Sequence, residues 1–438
     1  MEKLLIMGIN TRGLVNSSLT LPYKTYSASY YCTFDFKLPY KEKHILKQKE
    51  GTSCGFIEKN YNPGKLLELS KDFIEEVDGI VLSSGISCND FKGIFKKHKR
   101  KIIGNQKTEH VEDKYKFYKK IKNKYLTPKT FKINYGNNED NISEILEIAK
   151  QYTNISFIIK PLQGSGGYGV SYIKYNDENE IIFNSPFNAS KKNKDETIDI
   201  NKFYNEYIKY ENSGLVVQEY INGKNVSSSI LSTKEESKTI VTSNMLTDLD
   251  FGIKNSFKYC GNIVPFNINS TNNALSLEKE KNTMKHIKRG SEDLISYLKL
   301  IGSNGLDMII DKNLEEPYII EVNPRFQGTY ECIEELLGIN LLEAHIKACE
   351  GELIEIPKIP KDTYSIKRII YSPEKIKLKN NIDITNVYDI PYKGVIIEKD
   401  EPVLTIITPK DNISNVKNEV NNAVYLIEKE FKNDKKVN

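Results

Sequence analysis

The chain has 438 residues, enough for two or three cores of ordinary domain size. Its 63 Lys and Arg against 59 Asp and Glu leave a net charge of +4, without the clustered basic surplus of a nucleic-acid binder. No apolar run reaches the roughly 18 residues of a membrane-spanning helix, and six cysteines without CxxC spacing predict reduced cytoplasmic thiols, not a disulfide framework or a zinc site.

Residues 3–9 (KLLIMGI) are a short apolar run that gives way to Asn10, Thr11 and Arg12. Residues 77–83 (VDGIVLS) end at Ser83, Ser84 and Gly85, and a third run from Lys101 stops at Gly104. Short apolar strands with helix-length segments between them predict a parallel α/β sheet, whose ligands sit beyond the carboxyl ends of the strands. Asn10–Arg12 and Ser83–Gly85 are then crevice residues or ordinary strand-to-helix turns. From Asp113 the pattern turns helical, with Tyr115, Tyr118, Ile121 and Tyr125 as the periodic positions and a stop at Pro128.

Residues 157–160 (FIIK) predict a strand, followed at once by Pro161, Leu162, Gln163 and then Gly164, Ser165, Gly166, Gly167, Tyr168 and Gly169. Four glycines in six positions let backbone N–H groups approach an anion closely. Lys160 adds a positive charge at the strand end. The run lacks the Gly-Lys-Ser/Thr of a Walker A loop, and a strand at 170–174 follows it where a dinucleotide-binding loop would have a helix. It is a flexible turn or a β-hairpin flap over phosphates. Residues 175–214 are polar and predict a surface insertion.

The strand at 215–219 leads into Glu219, Tyr220 and Ile221, which form either a core strand end or a hinge against an adenine edge. A helix at 280–299 and antiparallel strands at 306–310 and 318–322, joined by a turn at 312–316, come next. Alternation puts Glu321 and Asn323 on one face, and the pairing brings Asp307 beside them. Two carboxylates and an amide oxygen suit Mg²⁺, with Mn²⁺ as an alternative ion. Arg325, two residues on, suits a carboxylate or a transferring phosphoryl group. On residues alone, a solvated edge hairpin is the competing reading. Asn340 predicts the cap of a helix at 341–349, and strand-like runs at 365–371, 394–398 and 402–408 precede a charged helix.

The order of these parts resembles the ATP-grasp superfamily: a lysine helix, Lys-Pro with a glycine flap, Glu-Tyr-Ile, an acidic strand, then Glu-x-Asn-Pro-Arg. The resemblance is closest to the branch of biotin carboxylase, carbamoyl-phosphate synthetase and carboxylate–amine ligases, and includes archaeal-type predicted ATP-dependent carboligases. It implies an α/β (α+β) ATP-grasp fold: a Rossmann-like domain over 1–110, an ATP-grasp domain over 111–355 with its flap at about 155–225, and a closing lobe over 356–438. Lys114 and Lys160 match the nucleotide-binding lysines, and Gly164, Ser165, Gly166, Gly167 and Gly169 the flap. Glu219, Tyr220 and Ile221 match the adenine hinge, and Asp307, Glu321 and Asn323 the metal ligands. Arg325 and Lys160 match catalytic positions. Asp307 departs from the Glu of many relatives, and the insertion has no obvious counterpart. Arg368 is a weaker match to an arginine near the reacting carboxylate.

The implied cofactors are ATP and Mg²⁺, and the implied reaction activates a small-molecule carboxylate as an acyl phosphate and joins it to an amine. The alternatives are a bicarbonate-dependent carboxylase and an inactive ATP-binding regulatory module. Neither nucleic acid nor a membrane is expected as a partner, and a homodimer is compatible with the surface.

Overall fold

The computed structural model describes residues 1–53, 61–133, 138–153, 155–164, 166–167, 169–175, 181–184, 214–251, 257–266, 277–311 and 316–434. The glycine-run residue Ser165, most of the 175–214 insertion and the turn at 312–315 lie outside the described residues.

The first sheet is wholly parallel. It contains β1 (Lys3–Gly8), β2 (Lys24–Tyr31), β3 (Lys41–Leu46) and β4 (Gly79–Leu82), in the order β3-β2-β1-β4. β1 is buried from Leu4 to Gly8, which explains its unbroken apolar run. Helix α1 (Arg12–Ser18) follows β1, and α2 (Pro63–Leu69) and α3 (Lys71–Glu76) pack Leu66, Leu67, Phe73 and Ile74 into the same core. The run from Lys101 is not a strand. It follows a 3-10 helix over Gly93–Lys101, and its one ladder contact is a single bridge from Ile102 to Ile80.

Helix α4 (Glu109–Glu112) and helix α5 (Lys114–Ile121) come next, α5 capped by the Asp113 carboxylate, which accepts from the N–H groups of Tyr115 and Lys116. The buried positions of α5 are Phe117 and Ile121, so its apolar stripe is offset from the tyrosines that suggested it. Tyr115, Tyr118 and Tyr125 are only partly buried.

A second sheet has β5 (Thr130–Ile133), β6 (Ser156–Pro161), β7 (Ser171–Tyr175), β8 (Ile181–Asn184) and β9 (Leu215–Glu219), in the order β5-β9-β6-β7-β8. Helix α6 (Asn138–Gln151) backs it through Ile142, Ile145 and Ile148.

The largest sheet contains β10 (Gly223–Ser232), β11 (Ser237–Thr247), β12 (Tyr259–Val264), β13 (Gly302–Asp311) and β14 (Tyr318–Asn323). It continues into β15 (Ser365–Tyr371), β17 (Val387–Tyr388) and β19 (Pro402–Ile407), while β16 (Ile376–Lys377) and β18 (Ile396–Ile397) pair with each other. The order is β14-β13-β10-β11-β12-β15-β19-β17, so strands after residue 356 extend the same sheet. Helix α7 (Leu277–Leu298) covers one face, placing Ile287, Leu294, Ile295 and Leu298 against Val226, Ile230, Leu306 and Met308. Helices α8 (Tyr330–Leu337) and α9 (Leu341–Glu350) join a core with Leu231, Ile240 and Val241 and with Leu4 and Val81 of the first sheet. Asn340 caps α9 by accepting from Glu343 N–H, as expected, and helix α10 (Ile413–Asp434) closes the C-terminal core.

Candidate active site

The second sheet and the largest sheet face each other across a cleft of about 470 Å³. One wall carries Lys160 near the end of β6 and Gln218 on β9, which Lys160 Nζ contacts at 2.6 Å. Burial and neighbouring Lys114 push the Lys160 ammonium down to about 8, against the pull of Glu321 and Asp307. Lys114, at the start of α5, donates to the Gly164 carbonyl at 3.0 Å and lies 3.4 Å from Glu321. It therefore ties the glycine run to the acidic wall.

The glycine run does fold over the cleft. Tyr259 N–H donates to the Gly166 carbonyl at 3.1 Å. Gly167 has φ +76°, and a Cβ there would lie 2.1 Å from the Phe257 carbonyl oxygen. Only glycine permits that conformation and that approach.

The opposite wall is built by register. Ser227 on β10, Asp307 on β13 and Glu321 on β14 are directly opposed in neighbouring strands, with a bulge after Asp307. Asp307 Oδ1 accepts from Ser227 Oγ at 2.5 Å and Oδ2 from Asn323 Nδ2 at 2.9 Å. Arg325 donates to Asn323 Oδ1 at 3.0 Å and to the Phe326 carbonyl at 3.1 Å. A guanidinium only donates, so the amide orientation of Asn323 is determined by its two partners. Burial and the Glu321 charge push Asp307 up to about 6, and burial lowers the Arg325 pKa. This all-oxygen set of two carboxylates and an amide fits a hard divalent ion such as Mg²⁺, whose charge would offset the repulsion between the acids.

Lys114, Lys160, Gly164, Gly166, Gly167, Glu219, Tyr220, Ile221, Asp307, Glu321, Asn323 and Arg325 all line this one cleft. Gly169 is described but does not line it, and Ser165 lies outside the described residues. At the hinge, Tyr220 N–H donates to the Ser156 carbonyl at 2.8 Å, and the Glu219 carboxylate accepts from Lys129 N–H at 3.0 Å. Arg368 also does not line the cleft: its guanidinium stacks on Phe251, 3.0 Å from the ring centroid.

The motifs alone did not reveal the support beneath the acids. Ser229 donates to Gln327 Oε1 at 2.6 Å, Gln327 Nε2 donates to Ser227 Oγ at 2.7 Å, and Ser227 donates onward to Asp307. Gly305 makes room for this chain, since a Cβ there would meet Gln327 at 2.1 Å. The serine-rich run of β10 was the available signal. The expected N-terminal crevice is instead filled: Arg12 is buried, 2.6 Å from both Asp389 and Glu331, and Asn10 donates to Asp389.

An ATP-grasp domain model matches residues 111–329. Over 421 residues the chain is 32% identical to "uncharacterized protein MJ0776" of Methanocaldococcus jannaschii, covering 95% of this chain and 91% of that one. The chain belongs to the ATP-grasp family. Membership in the ATP-grasp family brings ATP as the nucleotide. Among solved structures, the biotin carboxylase domain of Hydrogenobacter thermophilus 2-oxoglutarate carboxylase, bound to MgADP, ADP and bicarbonate, matches with a TM-score of 0.64. Identity there is 16%, over 93% of this ATP-grasp chain and 86% of that one. The L-amino acid ligase of Bacillus licheniformis matches with a TM-score of 0.59 and 14% identity, over 96% and 97%. Rhizobium etli pyruvate carboxylase matches with a TM-score of 0.66 and 14% identity over 97% of this chain, which spans 37% of that longer protein. At such identities the likeness is one of fold. Among the described residues, no helix is long and apolar enough to cross a membrane.

Proposed function

We propose that this chain is an ADP-forming carboxylate–amine ligase. One observation carries the reading: the lysines, the glycine run and the Asp307–Glu321–Asn323–Arg325 cluster converge on a single cleft. Lys114, Lys160 and the backbone N–H groups of the glycine run hold the nucleotide phosphates. Glu219, Tyr220 and Ile221 border the adenine. Asp307, Glu321 and Asn323 hold Mg²⁺, which when bound neutralises charge on the transferring phosphoryl group.

In the first step a carboxylate oxygen of the substrate attacks the γ-phosphorus and the bond to ADP breaks. Arg325 pairs with the incoming carboxylate and keeps it in line. In the second step a neutral amine attacks the acyl carbon, inorganic phosphate leaves with the electron pair, and the amine loses a proton to solvent. Lys160, lowered by burial, remains largely charged near neutral pH and stabilises the phosphoryl oxygens through both steps.

The test is Mg²⁺-dependent ADP release against panels of amino acids, small carboxylates, amines and bicarbonate, with product masses recorded in parallel. ADP formation that requires a carboxylate and an amine, with the mass of their condensation product, is expected. Turnover with bicarbonate and one acceptor would replace the reading with carboxylation. ATP binding without turnover across the panels would point to a regulatory module.

A further inference from the structure

A second cluster of metal-ligating side chains lies away from the ATP cleft. In the register of β2 and β3, Ser27 is opposite Glu42 and Ser29 is opposite His44. Alternation sends the Glu42 and His44 side chains to one face. The chain leaving β2 brings Cys32 to the same place. Cys32 Sγ, a Glu42 carboxylate oxygen and a His44 ring nitrogen all lie within 4.8 Å of one another. None of the three lines the ATP cleft.

The hydrogen bonds around His44 decide which nitrogen is available. His44 Nδ1 lies 2.7 Å from Ser29 Oγ, and that hydroxyl directs its single proton to the Tyr31 carbonyl at 2.9 Å. Ser29 therefore accepts from His44, Nδ1 carries a proton, and Nε2 is the nitrogen that a neutral His44 offers to a ligand. A hydrogen bond that orients an imidazole through its other nitrogen is the usual support of a metal-ligating histidine. Nε2 is buried and has no hydrogen-bond partner among the described residues, and the same is true of Glu42 Oε2. The approach of Nε2 to Glu42 Oε1 is 3.7 Å, too long for a hydrogen bond. It is close to the edge of a tetrahedral zinc site, about 3.3–3.6 Å for ordinary zinc–ligand bonds. Nε2 and the Glu42 carboxylate thus face each other beside a thiol without a hydrogen bond between them, an arrangement that a cation completes.

We propose that Cys32, Glu42 and His44 bind one divalent ion of the zinc class. A thiolate and an imidazole select such an ion over Mg²⁺, so the site remains distinct from the all-oxygen set at Asp307. Three protein donors leave one position for water. Binding releases the Cys32 thiol proton to solvent. The C-terminal segment packs against the site, with Tyr392 Oη 4.0 Å from Cys32 Sγ, and the ion would stiffen that junction. Sequence spacing conceals the set, because nine residues separate Cys32 from the Glu42-x-His44 pair.

The test uses the full chain, purified without a histidine tag and dialysed against excess Mg²⁺. Elemental analysis after zinc loading should find one equivalent of zinc per chain. Co²⁺ in its place should give a thiolate-to-cobalt charge-transfer band and a tetrahedral visible spectrum. Cys32→Ser should lose the charge-transfer band, and His44→Gln should weaken zinc by about tenfold or more, with MgATP binding retained in both as the check on folding. Wild-type protein that takes up neither zinc nor cobalt overturns the proposal. So does a zinc equivalent and cobalt spectrum that survive unchanged in His44→Gln, the variant that keeps every thiol.

Discussion

Two clusters of buried charge among the described residues are built in opposite senses. At the junction of α1, α8 and the β17 end, Arg12 bridges Asp389 and Glu331 at 2.6 Å each, and Lys367 meets Glu331 at 2.9 Å. The opposing cations hold both carboxyls below the usual range despite burial, Asp389 furthest. In the cleft between the second sheet and the largest sheet the shifts are reversed: Asp307 is pushed up and Lys160 down, each by burial first. The first cluster is complete within the fold and serves it. The second holds charge against its own preference, as a site does when its counter-charges arrive with the ligand.

The largest effect separates the two clusters by function. Glu321→Gln should lower Mg²⁺-dependent ADP formation by about a thousandfold, while denaturant titration shows stability changed by less than about 1 kcal/mol. A loss of several kcal/mol would mean that the cleft charges are structural as well, and would break the contrast. Arg12→Ala should do the reverse. Leaving Asp389 without its main cation should cost about 3–5 kcal/mol of stability, read as a lowered denaturant midpoint, with MgATP binding intact in the protein that remains folded.

A pH experiment sharpens the structural side. Buried His345 accepts from Ser303 N–H at 2.8 Å through Nδ1 and contacts the Ile103 carbonyl at 3.0 Å through Nε2, so its neutral form ties the segment after the 3-10 helix to β13. Burial lowers it from 6.5 to about 4. Between those values the unfolded state binds more protons than the folded one. Stability should therefore fall as pH drops from about 6.5 to 4, by up to about 3 kcal/mol. His345→Gln should flatten that slope when stability is measured across the window. An unchanged slope would assign the acid sensitivity to other groups. The smallest effect belongs to the flap: Gly167→Ala should strain its positive φ and push the flap from Phe257, costing about 1 kcal/mol, or roughly a fivefold weaker nucleotide dissociation constant by calorimetry.

Much of the cleft was legible because its parts are local. A lysine at a strand end followed by glycines, and a Glu-x-Asn-Pro-Arg run, each state their geometry through strand alternation and backbone freedom. The strands that support them were less visible. β10 reads Val-Ser-Ser-Ser-Ile at its centre and lacks an apolar alternation, because its serines face polar partners such as Asp307 and Gln327. β2 carries too many polar and aromatic residues to stand out as a buried parallel strand, and β3, the edge strand, has none of its residues fully buried. In α5 the periodicity gave buried Ile121 correctly but Tyr118 where Phe117 is the buried residue, because tyrosine counts as apolar in a periodicity but is only partly buried here.

By itself the sequence determined the ATP-grasp motifs, the strands that carry them and the residue types at the cleft, since these depend on neighbours a few positions apart. The tertiary structure decided what depends on register and on long loops closing. Ser227 meets Asp307 through the pairing of β10 with β13, and Arg12 reaches Asp389 across 377 positions. Cys32 joins Glu42 and His44 only because β2 and β3 lie side by side. Contacts of that kind arise from packing the whole chain, and no local spacing encodes them.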